Sequence, residues 1–302
     1  MNKNNIEIID KTITVLWDMY NIKILENKSD LISLIKLIHL VCNACVEIPS
    51  EIYDCIMPLP KYIKSIKRNE KIIKINASKD IENIKNFKFK GFYSMRIEGL
   101  DDVILYSYTD IFSMLINKFG NNIEMSISDN YNCGTAMTLE WIKAGGNKVV
   151  TTFNGIGGYA PVEEVLCSLK FLENINMKGN YELFPKLSEA FKSFTNMKID
   201  SNKAIIGEKI FDVESGIHAD GIFKNSETFE PYNPSLIGRE RNIILGKHSG
   251  TKIVEMKLNE LNIPYKKNNL RKILDQVRII SHEKRRGLNN DEISSICERL
   301  YD

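Results

Sequence analysis

The sequence predicts an α/β fold built on a parallel sheet or barrel, and three observations carry that prediction. Short apolar runs alternate with helical patterns through the first half of the chain. The second half turns loop-rich and holds the chain's most chemically loaded motifs. Residues 251–302 then read as amphipathic helix.

Taken in order, strands are expected at Ile6–Ile9, Ala44–Ile48, Lys71–Ile75, Phe92–Ile97, Val103–Tyr106, Ile123–Ile127 and Lys148–Phe153. A helix between the first two starts at a cap on Ser29 and places Leu31, Leu34, Ile35, Ile38 and Val41 on one side. Another follows the last strand, with Pro161 in its first turn and Val162, Val165, Leu166 and Leu169 recurring at helical spacing. The alternation breaks between Ile97 and Val103, which are too close for a parallel crossover and so mark a hairpin or a deletion. Beyond residue 170 a connector carries one helix around Pro185–Phe194. Near the end Leu270, Ile273, Leu274, Val277 and Ile280 form an apolar stripe with Gly287 as its stop, and Ile293, Ile296 and Leu300 share a face of the last helix. The expected divisions are 1–170, 171–250 and 251–302.

Composition narrows the function classes. With 302 residues the chain can bury one large or two modest cores, and 43% hydrophobic with 26% charged residues is the balance of a soluble globular protein. A net charge of +2 gives no whole-molecule attraction to nucleic acid or to a membrane. The run Lys284-Arg285-Arg286 sits at a helix end, where it complements the dipole. No signal peptide or membrane-length apolar run is evident, so a cytoplasmic location is expected. Cys42 and Cys45 form a C-x-x-C with no second pair at zinc spacing, so the six cysteines are expected to be buried thiols.

Two motifs hold two of the four histidines. One is Glu214-Ser215-Gly216-Ile217-His218-Ala219-Asp220-Gly221, and the other is Leu245-Gly246-Lys247-His248-Ser249-Gly250. Glycine lets backbone approach a ligand, and an imidazole beside it can act as acid or base near neutral pH. Together with Phe229-Glu230-Pro231-Tyr232-Asn233-Pro234 between them, these blocks closely resemble the homocitrate synthase and isopropylmalate synthase family, nearest the short homocitrate synthases of nitrogen fixation. Weaker resemblance lies in Ile8-Ile9-Asp10-Lys11-Thr12-Ile13, Cys45-Val46-Glu47-Ile48-Pro49 and Thr151-Thr152-Phe153-Asn154-Gly155-Ile156-Gly157.

The resemblance implies a TIM-type (β/α) barrel followed by small α+β and helical subdomains. It also implies acetyl-CoA condensing with a 2-oxo acid at a divalent metal on the strand ends. The metal-binding positions do not match. The catalytic Arg and metal Asp of the family's first strand fall on Thr14 and Val15, and its His-x-His pair falls on Ser126 and Ser128. Asp10 and Glu47 match family positions without their usual neighbours, and Asp129 with two serines makes a weak cation site. The barrel is therefore expected to be degenerate, short of about one strand–helix unit near residue 100, and to hold no metal of its own.

The carboxyl-terminal motifs retain their chemistry. His218 matches the family's proton-transferring histidine and Glu214 the acidic residue four before it, a pair expected to act together as the catalytic residues. The family's tyrosine reads Phe229 here, with Tyr232 the nearest phenol. Lys247, His248 and Tyr232 are the expected contacts to substrate or coenzyme A. The expected function is a subunit of a homocitrate synthase that contributes His218 and Glu214 to a paralogous partner whose intact barrel carries the divalent metal. A non-catalytic stabilising or regulatory paralogue and a stand-alone isopropylmalate-synthase-like acyltransferase are the alternatives.

Overall fold

The computed structural model describes residues 6–68, 72–75, 81, 95–120 and 123–301. The chain divides into two compact units, Met1–Ile206 and Gly207–Asp302.

The first unit is a curled sheet of seven parallel strands with helices packed on it. The strands are β1 (Glu7–Asp10), β2 (Cys45–Ile48), β3 (Ser65–Lys67), β4 (Ile72–Ile75), β5 (Met95–Gly99), β6 (Ile123–Ile127) and β7 (Lys148–Thr151). Their order is β3-β2-β1-β7-β6-β5-β4. Each strand but one thus lies beside its successor, and β7 returns to β1 with Val149 opposite Ile8. That is barrel connectivity with one junction open, since β3 and β4 do not pair among the described residues. Only residues 68–71 separate them, far fewer than the dozen or so that a parallel crossover needs. The interruption expected near residue 100 falls here instead.

The helices of this unit are α1 (Thr12–Tyr20), α2 (Lys28–Cys42), α3 (Ser50–Ile56), α4 (Tyr108–Phe119), α5 (Gly134–Ala144), α6 (Val162–Phe171) and α7 (Phe184–Thr195). The stripe Leu31, Leu34, Ile35, Ile38 and Val41 is buried as expected. Ser29 is not the cap of α2: Asn27 holds that position without a side-chain bond, and Ser29 lies in the first turn. Pro161 likewise stands at the cap of α6 rather than inside it. Helix α7 packs against α2, and its Phe191 meets Phe153 edge-on at 5.3 Å.

Two strand expectations are corrected. Leu100 turns the chain at φ 54°, the Val103 amide bonds back to its carbonyl at 3.1 Å, and Val103–Leu105 becomes a 3-10 turn. The run Lys148–Phe153 stops being a strand at Thr151, because Phe153–Gly155 is another such turn. Lys71 and residues 92–94, expected as strand, lie outside the described residues. The cysteines are all free thiols; Cys42, Cys45, Cys167 and Cys297 are buried, but Cys55 is exposed and Cys133 half-buried. Burial pushes the Cys45 thiol up to about 11, which disfavours the thiolate form that reacts.

Among the described residues the second unit holds a two-stranded parallel ladder, β8 (Asp212–Val213) with β9 (Asn242–Ile243), and four α-helices. They are α8 (Gly216–Lys224), α9 (Thr251–Glu260), α10 (Leu270–Lys284) and α11 (Asn290–Tyr301). Leu270, Ile273, Leu274 and Val277 of α10 pack with Leu245, Ile253, Leu258 and Ile293 into one core. Helix α10 ends at Arg285, in the left-handed region, and not at Gly287. Gly287 serves close approach instead, because a Cβ there would lie 2.2 Å from the Ile244 side chain. Among the described residues no helix is long and apolar enough to cross a membrane.

Candidate functional site

Two polar clusters stand out, one in each unit. The first fills the interior of the curled sheet. Arg96 on β5 is fully buried; it donates to Glu47 on β2 at 2.5 Å and to Glu124 on β6 at 2.9 Å. Strands β2 and β5 are not neighbours, so this pair spans the barrel interior. Lys11, just past β1, reaches Glu98 of β5 at 2.7 Å. The Tyr159 hydroxyl donates to the other Glu98 oxygen at 2.8 Å, and the Lys11 ammonium sits 3.2 Å from the Tyr159 ring centre. Thr14 donates to Glu47 at 3.0 Å. Burial pushes the Lys11 amine down to about 8. Burial also works against charge on Glu98, but Lys11 and the Tyr159 hydroxyl outweigh it and hold its carboxyl below the ordinary range.

The positions where the family resemblance would place metal ligands, and the carboxylates beside them, are not arranged as a metal site among the described residues. Val15 is apolar and buried, and Ser126 is buried with, among the described residues, no hydrogen-bond partner for its hydroxyl. Asp129 accepts the Gly134 amide at 2.6 Å and so closes the start of α5. Glu47 is a buried partner of Arg96. Among the described residues no group of three or more His, Cys, Asp or Glu is arranged to hold a metal ion.

Two carboxyls beside this cluster are fully buried. Asp10 accepts the Thr12 amide at 3.0 Å and Glu163 accepts the Asn154 amide at 3.1 Å, while their other oxygens have no partner among the described residues. Burial raises Asp10 to about 7 and Glu163 to about 8. A carboxyl whose folded pKa is raised lends stability that is full below its unfolded value and is lost as pH climbs through the folded one. The chain is therefore expected to lose thermal stability as pH rises from near 4.5 to about 8. Lys11 acts with the opposite sign above about 8, where the unfolded chain still holds the proton. Melting curves across this window should flatten in Glu163→Gln; an unchanged pH slope would show that Glu163 is not the group responsible.

The second cluster joins the two histidine motifs. Glu214 lies just before α8, whose cap is Ser215. Its carboxylate accepts the backbone amide of His248 at 2.9 Å. Gly246 lies so close that a Cβ would stand 2.5 Å from the Glu214 oxygen. The expected pairing of Glu214 with His218 is thus not formed: the carboxylate serves the second motif. The loop after it is fixed by the Gly246 amide donating to Ser249 Oγ at 2.9 Å and by Arg278 donating to the Ser249 carbonyl at 2.7 Å.

His218 is exposed on α8 and, among the described residues, makes no hydrogen bond; its ring lies 5.9 Å from that of Phe229. Ile217 beside it is 81% exposed. Phe229 rests on the helix where Gly221 leaves room, since a Cβ there would fall 2.3 Å from the ring. Tyr232 packs edge-on against Phe211 at 5.8 Å. Lys247 and His248 are exposed, and Lys247 and Glu214 line a cleft of about 590 Å³ with His282, Arg285 and Arg286.

The structure brings Glu214, Lys247 and His248 together and leaves His218 on an open face with an aromatic neighbour. An exposed imidazole of this kind can pass a proton only to a group that comes to it. Sequence reasoning missed Lys11, Arg96, Glu98 and Tyr159. The signal was present as two charges inside an apolar strand, Met95-Arg96-Ile97-Glu98-Gly99.

Residues 205–285 match the family described as homocitrate synthase post-HMGL domain-like. Over 248 residues the chain is 32% identical to the homocitrate synthase omega subunit of Clostridium pasteurianum, covering 80% of this chain and 70% of the relative. It is 31% identical over 230 residues to an (R)-citramalate synthase of Methanocaldococcus jannaschii, covering 72% of this chain and 47% of the relative. A homocitrate synthase of the same organism is 41% identical over 143 residues, 46% of this chain and 35% of the relative. The chain thus spans less than half the length of these last two.

Proposed function

The chain belongs to the homocitrate synthase and isopropylmalate synthase family, and from that membership we propose that it is one subunit of a split homocitrate synthase. The relative named as an omega subunit is by that name part of a larger enzyme, and we carry that organisation to this chain. A paralogous partner supplies the intact barrel with its divalent metal, which polarises the ketone of the 2-oxo acid. This chain supplies His218.

The reaction is acetyl-CoA plus 2-oxoglutarate plus water giving homocitrate and coenzyme A. A base removes a methyl proton of acetyl-CoA, the resulting carbon attacks the ketone of the oxo acid, and water cleaves the thioester. His218 moves one of these protons. Glu214 acts at one remove: by holding the His248 amide it fixes the loop that carries Lys247. It is a positioning residue rather than a partner of the imidazole.

The observation that carries the proposal is the contrast between the two clusters. Arg96 is ion-paired with Glu47 and Glu124, and Lys11 with Glu98, inside the curled sheet, so an ammonium sits among the strand ends where the family resemblance expects a metal. His218, by contrast, stands exposed with no polar partner among the described residues. Purified chain given acetyl-CoA, 2-oxoglutarate and a divalent metal is expected to release no coenzyme A. Metal-dependent release by the chain unaided would overturn the proposal in favour of a stand-alone acyltransferase.

A further inference from the structure

The basic run at the end of α10 does more than complement a helix dipole. Arg285 occupies the position after the helix where glycine is favoured, and holds φ 53° there. A non-glycine residue in the left-handed region is strained, and such strain collects at functional positions. The turn is closed around it, with the Arg285 amide on the His282 carbonyl and the Arg286 amide on that of Ser281, both at 3.3 Å.

The surroundings give the strained arginine a purpose. Arg285 lines the cleft of about 590 Å³ together with Lys247, His282, Arg286, Glu214 and Glu283. That volume is in the range of small-molecule sites. Arg286 is held by Glu292 through both oxygens, at 2.7 and 3.0 Å. Glu214 is held by the His248 amide. Among the described residues the Lys247 ammonium and the Arg285 guanidinium form no hydrogen bond or ion pair. The loop presenting Lys247 is tied down by hydrogen bonds to Ser249, Arg278 and Glu214. Two unpaired cations thus face one cleft from two fixed turns.

We propose that this cleft binds a phosphorylated small molecule, gripping a phosphate ester or diphosphate between Lys247 and Arg285. The guanidinium offers a planar fork of donors and the ammonium a point charge, the usual complement of a phosphate carrying more than one negative charge. The inference deepens the function proposed above and rests on it only for the choice of natural ligand, the phosphate-bearing end of acyl-coenzyme A.

Calorimetric titration of the full chain at low salt tests it, with coenzyme A, 3′-dephospho-coenzyme A and inorganic pyrophosphate as probes. Arg285→Gly is the informative variant, because glycine suits the left-handed position and should preserve or raise the melting temperature. It is expected to weaken coenzyme A and pyrophosphate about tenfold or more, as is Lys247→Met. A weaker dephospho form places the 3′-phosphate in the cleft, and equal affinity places the diphosphate there; either supports the site. Pyrophosphate binding that depends on Arg285, without coenzyme A binding, keeps the site and removes acyl-coenzyme A as this chain's ligand. Coenzyme A binding that is equal in wild type and both variants overturns the site and leaves the proposed function standing. Failure of every probe to bind overturns the site as well.

Discussion

Replacing His218 with alanine is expected to lower kcat of the reconstituted enzyme by roughly a hundredfold or more, the usual worth of a residue that moves a proton in the transition state. The melting temperature of the chain itself should hardly change. His218 is exposed, makes no hydrogen bond or ion pair among the described residues, and lies beside the Phe229 ring, so its loss leaves neither a buried cavity nor an unpaired charge. That separation of activity from stability is what distinguishes a proton carrier from a structural histidine. A near-normal kcat in His218→Ala would instead favour the non-catalytic paralogue, whose part in the complex is the interface alone.

Replacing Arg96 with methionine should do the reverse, with its main effect on stability. Arg96 is fully buried and neutralises both Glu47 and Glu124. Removing one member of a buried charged set strands the others, at a cost of about 3–5 kcal/mol. For a unit of this size that corresponds to a fall in melting temperature of roughly 10 °C. Thermal melts followed by circular dichroism would measure it. A triple variant that also carries Glu47→Gln and Glu124→Gln should recover much of the loss, since it removes the stranded charges. A fall of less than about 1 kcal/mol in Arg96→Met would mean that water reaches these carboxylates and that they are not buried as described.

The parallel α/β class was legible because local pattern dictates it. β-Branched runs such as Val149-Val150-Thr151 form strands in a sheet that is covered on both faces. What escaped were features fixed by distant partners. Helix α1 covers the β-branched stretch Thr12-Ile13-Thr14-Val15, which local propensity disfavours as helix, and burial of Ile13 and Leu16 overrides it. The alternation of charge with apolar residues at Arg96 and Glu98 reads as a solvent-facing side, yet in a curled sheet that side is the interior.

The candidate site was read with the same asymmetry. Glu214 and His218 are four apart, the spacing that joins side chains on a helix. But the helix starts at Gly216 after an extended Ser215, so Glu214 points elsewhere and finds the His248 amide. Sequence proximity suggested one partner and tertiary structure supplied another. The break in the barrel was expected from the short interval after Ile97, yet it lies between β3 and β4, where the chain is shorter still.

The most direct test of the central claim is coenzyme A release from acetyl-CoA and 2-oxoglutarate by three preparations: this chain, the metal-bearing partner, and the two mixed. The account predicts turnover in the mixture alone. Full activity of the partner without this chain, unchanged when the chain is added, would contradict it.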